Sequence, residues 1–294
     1  MPSFSPSRRL QTQWPGENPG VVIIGGKGAR MLIIGERLNT SRKGLHEAVE
    51  TRNEEFLQEI ARKQAENGAN YLDVNCGTRL QHEVEDLAWL AKLAQDTVGL
   101  PLSIDTPNAD AAEAALSVHK GRPIINSISA ESERYERMLP LVKKHNAGVI
   151  ALCMDDEGMP ETAEKKFKVA SKLRERLTAD GVPEEDIYLD PLVQPVGSNQ
   201  AAGMAVVDAI REIRRAFPNT HISAGVSNVS HGMPARKLLN RTFIAMCICA
   251  GLDTAIVDPN DSDIMQIVWA AEALAGRDEF CANYLAAFRA GKIA

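Results

Sequence analysis

ISAGVSNVSHG, Ile222 to Gly232, begins as an apolar run and ends abruptly in small polar residues crowned by Asn228. β-Branched and small apolar residues give way to Ser, Asn, His and Gly with no charged turn between, the pattern of a buried strand whose C-terminal end opens onto a site. The pattern recurs in YLDVNCG (Tyr71 to Gly77), LSIDTPN (Leu102 to Asn108), PIINSIS (Pro123 to Ser129) and IYLDPLVQP (Ile187 to Pro195). Each is a short apolar strand closing on Asp or Asn. Strands that all finish in polar residues, with helical segments between them, are what a parallel barrel needs to gather chemistry on one rim.

From Met31 onward, strand-like and helix-like patterns alternate eight times. The predicted strands are Met31 to Gly35, Tyr71 to Asn75, Leu102 to Asp105, Ile124 to Ser127, Gly148 to Met154, Ile187 to Asp190, His221 to Ser227 and Thr254 to Asp258. Between them lie helical spacings: Phe56, Ile60 and Ala61 before the breaker Asn67-Gly68; Leu87, Leu90, Ala91 and Ala94; Phe167, Val169, Leu173 and Leu177 after Pro160. Gly68, Gly99, Gly148, Gly181 and Gly251 follow helical runs and read as helix stops. The fold class is therefore α/β, a single TIM-type (β/α)8 barrel over residues 31–294. Residues 1–30 stand apart, rich in Ser, Pro, Gly and Gln up to Gly20 and without amphipathic period, and read as a poorly ordered N-terminal extension. IIGGKGAR, Ile23 to Arg30, looks like a phosphate-cradling loop, but such a loop must open a helix and here the strand MLIIGE follows. Arg8-Arg9 lacks the apolar stretch that an export signal requires.

A chain of 294 residues with 44% hydrophobic content can bury a core of this size. Its net charge of −6 and pI near 5.6, with no basic stripe, exclude nucleic acid as an expected partner. No apolar run reaches the roughly 18 residues of a membrane span, so no membrane partner is expected. The five cysteines, Cys76, Cys153, Cys247, Cys249 and Cys281, are scattered and odd in number, which argues against a disulfide framework and for a reducing, cytoplasmic setting.

On the C-terminal rim such a barrel would carry Glu36 and Asn39 after the first strand, Asp73 and Asn75 on the second, Asp105 on the third and Asn126 on the fourth. Asp190 follows on the sixth, Ser227, Asn228 and His231 on the seventh, and Asp258 on the eighth. Singly, Asp and Asn at strand ends are turn and cap residues. Together they are harder to dismiss, because Asp105 and Asp190 sit directly on apolar strands, where an unpaired carboxylate is costly to bury. One ligand that wants carboxylates and amides is a divalent metal held by Asp73, Asp105, Asp190 and Asp258. Another is a flat heterocycle with an N–H/NH2 edge, from which a carboxylate accepts two parallel hydrogen bonds. The amides favour the second, since Asn both donates and accepts and so reads the mixed edge of a pterin. No directly bound metal is then expected. A zinc site from Cys76, Cys153 and His231 has no ligand-spacing motif behind it. Cys247 and Cys249 do not share a helix face.

MLIIGERLN (Met31 to Asn39), LDVNCG (Leu72 to Gly77), SIDTPN (Ser103 to Asn108), INSISAE (Ile125 to Glu131), YLDPLVQP (Tyr188 to Pro195), GVSNVSHGMPAR (Gly225 to Arg236) and LLNRTFIAMCICAGLDTAIVDP (Leu238 to Pro259) resemble the pterin-binding methyltetrahydrofolate:corrinoid protein methyltransferases. The likeness runs from Met31 almost to the end. It implies a homodimeric barrel that moves a methyl group between N5 of tetrahydrofolate and the cobalt of a corrinoid (cobalamin) carried by a separate corrinoid protein. By motif match, Asp105, Asn126 and Asp190 would hydrogen-bond the pterin and Asn228 would reach N5, with Asp73 and Asn75 beside them. His231 stands where acetogenic members carry glutamine. Relatives of this kind also serve demethylation pathways, with methylcorrinoid as donor and tetrahydrofolate as acceptor. The chemistry suits the residues, because cobalt is itself the nucleophile or leaving group and a neutral amide beside N5 serves either direction.

Three rivals share parts of the pattern. Dihydropteroate synthase has the barrel and the pterin acids but needs rim cations after strands seven and eight, where the sequence reads SNVSHG and VDPND. A metal-dependent lyase or aldolase would lose activity to a chelator, and a non-catalytic folate-binding protein would show no turnover. A chain starting at Met31 is expected to match the full chain in melting temperature and turnover. A large loss in the shortened form would make residues 1–30 part of the working structure.

Overall fold

The computed structural model describes residues 30–294. The expected N-terminal extension and the Gly-rich Ile23 to Arg30 stretch, apart from Arg30, fall outside the described residues. Eight parallel strands close into a barrel in which each pairs with its sequence neighbour and the first pairs with the last. They are β1 (Leu32–Asn39), β2 (Tyr71–Asn75), β3 (Leu102–Asp105), β4 (Ile124–Ser129), β5 (Gly148–Leu152), β6 (Ile187–Asp190), β7 (His221–Gly225) and β8 (Thr254–Val257). The outer layer comprises α1 (Leu45–Glu50), α2 (Glu54–Glu66), α3 (Glu83–Val98), α4 (Ala109–Val118), α5 (Ser132–Lys144), α6 (Ala163–Ala179), α7 (Ala202–Ala216), α8 (Arg236–Ala250), α9 (Ser262–Leu274) and α10 (Ala282–Arg289). The predicted TIM-type barrel is thus the observed one, with an extra short helix before α2 and another after α9.

The strand period of two sorts residues to the two faces of the barrel wall. Ile33, Leu72, Ile104, Ile125, Val149, Leu189 and Ile222 join the large cluster shared with the helices. Residues of the other parity, Leu32, Ile34, Tyr71, Ile124, Ile150 and Tyr188, form a second cluster inside the barrel. Continuing that parity toward the C-terminal ends brings Asp73, Asp105, Asn126 and Asp190 above this apolar plug.

Boundaries differ from expectation where hydrogen bonding departs from a plain ladder. β1 runs on to Asn39 rather than stopping at Gly35, because its pairing with β2 shifts register between Gly35 and Leu38. β7 stops at Gly225, and Val226–Ser230 winds into a 3-10 turn instead of extending the strand. On α2 the buried stripe is Leu57, Ala61 and Gln64, while Phe56 is exposed. Gly148 is not a helix stop; the left-handed residue after α5 is Asn146, and Gly148 opens β5. A Cβ on Gly148 would stand 3.0 Å from a ring carbon of Tyr188 and 3.4 Å from Ile124 Cγ1. Tyr188 cannot retreat, since its ring stacks on His221 with centroids 4.4 Å apart. Gly148→Ala is therefore expected to lower stability by about 1–3 kcal/mol through overpacking. A urea midpoint equal to the parent's would refute that close fit.

Candidate active site

Above the apolar plug lies a cavity of about 890 Å3, lined among others by Glu36, Asn39, Asp73, Asp105, Asn126, Asp190, Ser227, Asn228 and His231. With Asp258, ten of the eleven residues expected on the rim thus line one cavity, of a size suited to a small organic ligand. Asn75 does not line it. Its Nδ2 donates to Asp105 Oδ2 at 2.9 Å and its Oδ1 accepts from Gly77 N at 2.9 Å, so it orients Asp105 from the side.

The floor is built from acids whose donors come from nearby strands and from the bend after β6. Asp73 Oδ1 accepts from Ser103 Oγ at 2.6 Å and from Asn126 Nδ2 at 3.1 Å. Burial holds Asp73 well above the usual carboxylate range, and the neighbouring Asp105 charge pushes the same way. Burial also raises Asp105, with the Asn75 amide pulling it back. Asp190 accepts from Leu192 N at 2.8 Å and from Ser223 Oγ at 3.5 Å. Desolvation pushes it up to about 6 despite the Leu192 N–H and the positive charge of Lys166. Such displaced acids in a concave site mark it as functional.

Several rim residues also serve as turn acceptors. Asn39 Oδ1 takes the Ser41 N–H, and Asp258 Oδ1 takes that of Asn260. Asn228 does not. It rides on the 3-10 turn after β7, and a Cβ on Gly225 would stand 3.1 Å from its Nδ2, so the glycine leaves room for the amide to lie over the strand end. The flanking Ser227 and Ser230 are engaged with Glu36 and Arg236, whereas no hydrogen bond ties the Asn228 side chain among the described residues. His231 follows, exposed at the mouth, its N–H donating to Asn228 O at 3.1 Å.

The strand ends SNVSHG and VDPND carry no lysine or arginine, yet the rim is not free of cations. Arg37, Arg42, Arg236 and Lys237 all line the cavity. The register shift in β1 lets the consecutive Glu36 and Arg37 both face inward, and α8 folds its first turn over the mouth. These cations are largely committed. Arg42 pairs with Glu36 at 2.6 Å and Arg37 with Asp258 at 3.2 Å, while Arg236 Nη2 donates to Ser227 O at 2.7 Å. Glu36 is nevertheless raised by burial. Absent cations therefore no longer argue against a dihydropteroate synthase.

Neither metal alternative assembles: among the described residues no group of three or more His, Cys, Asp or Glu side chains could hold an ion. Cys76 and Cys153 are fully buried, and burial pushes the Cys76 thiol up to about 12 and Cys153 up as well. Cys247 is buried and Cys249 exposed, as their i, i+2 spacing requires.

The pterin binding enzyme family matches residues 35–258. The chain belongs to the pterin-binding enzymes. Its similarity to the methylcorrinoid:tetrahydrofolate methyltransferase of Eubacterium limosum is 35% identity over 265 residues, 90% of this chain and 98% of that one. It is 34% identical over 242 residues to methionine synthase of Mycobacterium tuberculosis, covering 78% of this chain but 20% of that longer protein. The barrel also matches solved pterin-family folds. Dihydropteroate synthase of Coxiella burnetii with pteroic acid gives a TM-score of 0.66 at 13% identity, covering 84% of this chain and 94% of that one. The dihydropteroate synthase of Thermus thermophilus gives 0.60 at 21% identity, covering 82% and 94%. Among the described residues, no helix of this pterin-binding enzyme is long and apolar enough to cross a membrane.

Asp190 offers a test in the ligand-free protein. Its folded-state value of about 6 lies above the ordinary carboxylate value, so the folded state holds the proton more tightly than the unfolded chain does. That contribution to stability is full below the ordinary value and is lost as pH rises through about 6. At about pH 7.5, Asp190→Asn is expected to raise stability by about 2–3 kcal/mol, an advantage that vanishes near about pH 4. Equal urea midpoints at the higher pH would overturn this reading of the buried carboxylate.

Proposed function

We propose that this enzyme transfers a methyl group between a corrinoid carried by a separate protein and N5 of tetrahydrofolate. The observation that carries the reading is the pairing of buried acids on the cavity floor with an uncommitted amide, Asn228, facing them. Near end-to-end similarity to a methylcorrinoid:tetrahydrofolate methyltransferase supports the same reaction. Tetrahydrofolate is then a substrate, the corrinoid belongs to the partner, and no metal binds the chain directly. The reading includes a homodimer, as the family resemblance implies, in the cytoplasmic setting expected from the cysteine pattern.

In this reading the amidine-like N–H edge of the pterin lies against carboxylate oxygens of Asp190 and Asp105, with Asn126 completing the mixed edge. Asp73, which burial and the neighbouring Asp105 charge raise well above the usual carboxylate range, orients Asn126 by accepting its amide N–H. In the folate-methylating direction the N5 lone pair would form the new N–C bond as the C–Co bond breaks, the bond's electrons remaining on cobalt, and the N5 proton would pass to water at the open mouth of the cavity. Asn228 follows the charge change at N5 by hydrogen bonding and needs no proton of its own. Such a preorganised bond contributes most where charge develops.

Asn228→Ala is expected to slow methyl transfer by about 10²–10³, while tetrahydrofolate affinity falls much less. Single-turnover rates with methylcobalamin, read from cobalt absorbance and set beside equilibrium folate binding, separate the two effects. A variant transferring methyl at the parent rate would sink the role of Asn228. A parent protein that binds tetrahydrofolate without altering cobalt absorbance would leave a binding protein instead.

A further inference from the structure

The first turn of α6 holds a lysine where a lysine is poorly placed. Lys166 is fully buried, close to the positive end of the helix dipole, on the face shared with Val169, Ala170, Leu173 and Leu177. A buried ammonium is tolerated only when it is paired and hydrogen-bonded. Its Nζ donates to the carbonyl oxygens of Pro191 and Leu192, both at 2.8 Å. Those carbonyls form the bend after Asp190, where Leu192 takes a left-handed φ of 58° and gives its N–H to Asp190 Oδ1. Lys166 itself does not line the cavity.

We propose that Lys166 is a positioning residue for pterin recognition, fastening the Pro191-Leu192 bend and supplying the buried positive charge that lets Asp190 meet the ring as a carboxylate. The proposal rests on the reading of Asp190 as a pterin contact. The other groups facing Asp190 are Cys153 after β5, Cys247 on α8 and Ser223 on β7, and Glu161 faces Lys166 from the approach to α6. Burial keeps both thiols neutral, so Lys166 is the cation of this group. Without that charge, Asp190 takes up its proton at higher pH and offers the pterin one acceptor fewer.

The test measures tetrahydrofolate binding by the full chain from about pH 5 to about pH 8 for the parent, Lys166→Met, Asp190→Asn and the double variant. Lys166→Met should move the acid limb of binding upward by about one pH unit, an affinity loss of about tenfold near about pH 5. On the Asp190→Asn background it should change nothing further. An unshifted limb, or an equal loss on both backgrounds, overturns the proposal. Should Lys166→Met fail to fold, carboxyl-carbon NMR of Asp190 in Lys166→Gln without folate decides: a titration midpoint above the parent's supports the charge role, and an unchanged one overturns it. A parent that binds no tetrahydrofolate at any pH sinks the pterin reading instead, and the carboxyl titration still reports on Lys166.

Discussion

Carboxylate oxygens near the axis of a closed barrel have little water to turn to, and the upper half of this structure is arranged around supplying them with donors. The ladder sets the supply. Asp73 is in register with Ser103 on the next strand, whose hydroxyl it accepts, and takes the amide of Asn126 from the strand beyond, while Asp105 takes its amide from Asn75 on the strand before. Asp190 takes a backbone N–H from its own bend and a hydroxyl from β7. Even so, the acids remain raised above their ordinary range. They keep unspent acceptor capacity, which an incoming N–H edge can use. A buried donor or acceptor left without its partner costs about 1–3 kcal/mol, so the floor is a set of mutually dependent groups rather than a row of independent contacts.

Much of this was legible because the relevant periods are short. Alternation along strands such as Tyr71–Asn75 and Ile187–Asp190 separates core-facing from axis-facing residues, and a strand ending in Asp or Asn announces its rim. Ten of the eleven expected rim residues line one cavity for that reason. The remaining one, Asn75, shares the parity but turns its amide sideways to Asp105, a choice of rotamer that no pattern in the chain encodes.

What escaped depends on contacts distant in sequence. The inward turn of Arg37 requires a register shift against β2, and the approach of Arg236 and Lys237 requires the angle at which α8 leaves the mouth. The predicted strand runs on through Val226 and Ser227, the start of the 3-10 turn that places Asn228, because Val226 is apolar like the residues before it. Lys166 did leave a signal. It occupies the i−3 position to Val169 and i−4 to Ala170, and a charge on the apolar stripe of a helix has a buried partner to find.

The barrel wall is not equally knitted all round. β6 and β7 share only the pairs Tyr188 with His221 and Leu189 with Ile222, the shortest ladder of the eight. Asp190 crowns one side of this seam and the turn bearing Asn228 the other. A flat ring held by both would act as a rivet across the least-bonded join, restoring cross-strand connection where the backbone provides least. Occupancy would then couple to the integrity of the wall itself. Ligand would protect this join from local opening more than it protects the joins of β1, which makes four register pairs with each neighbour.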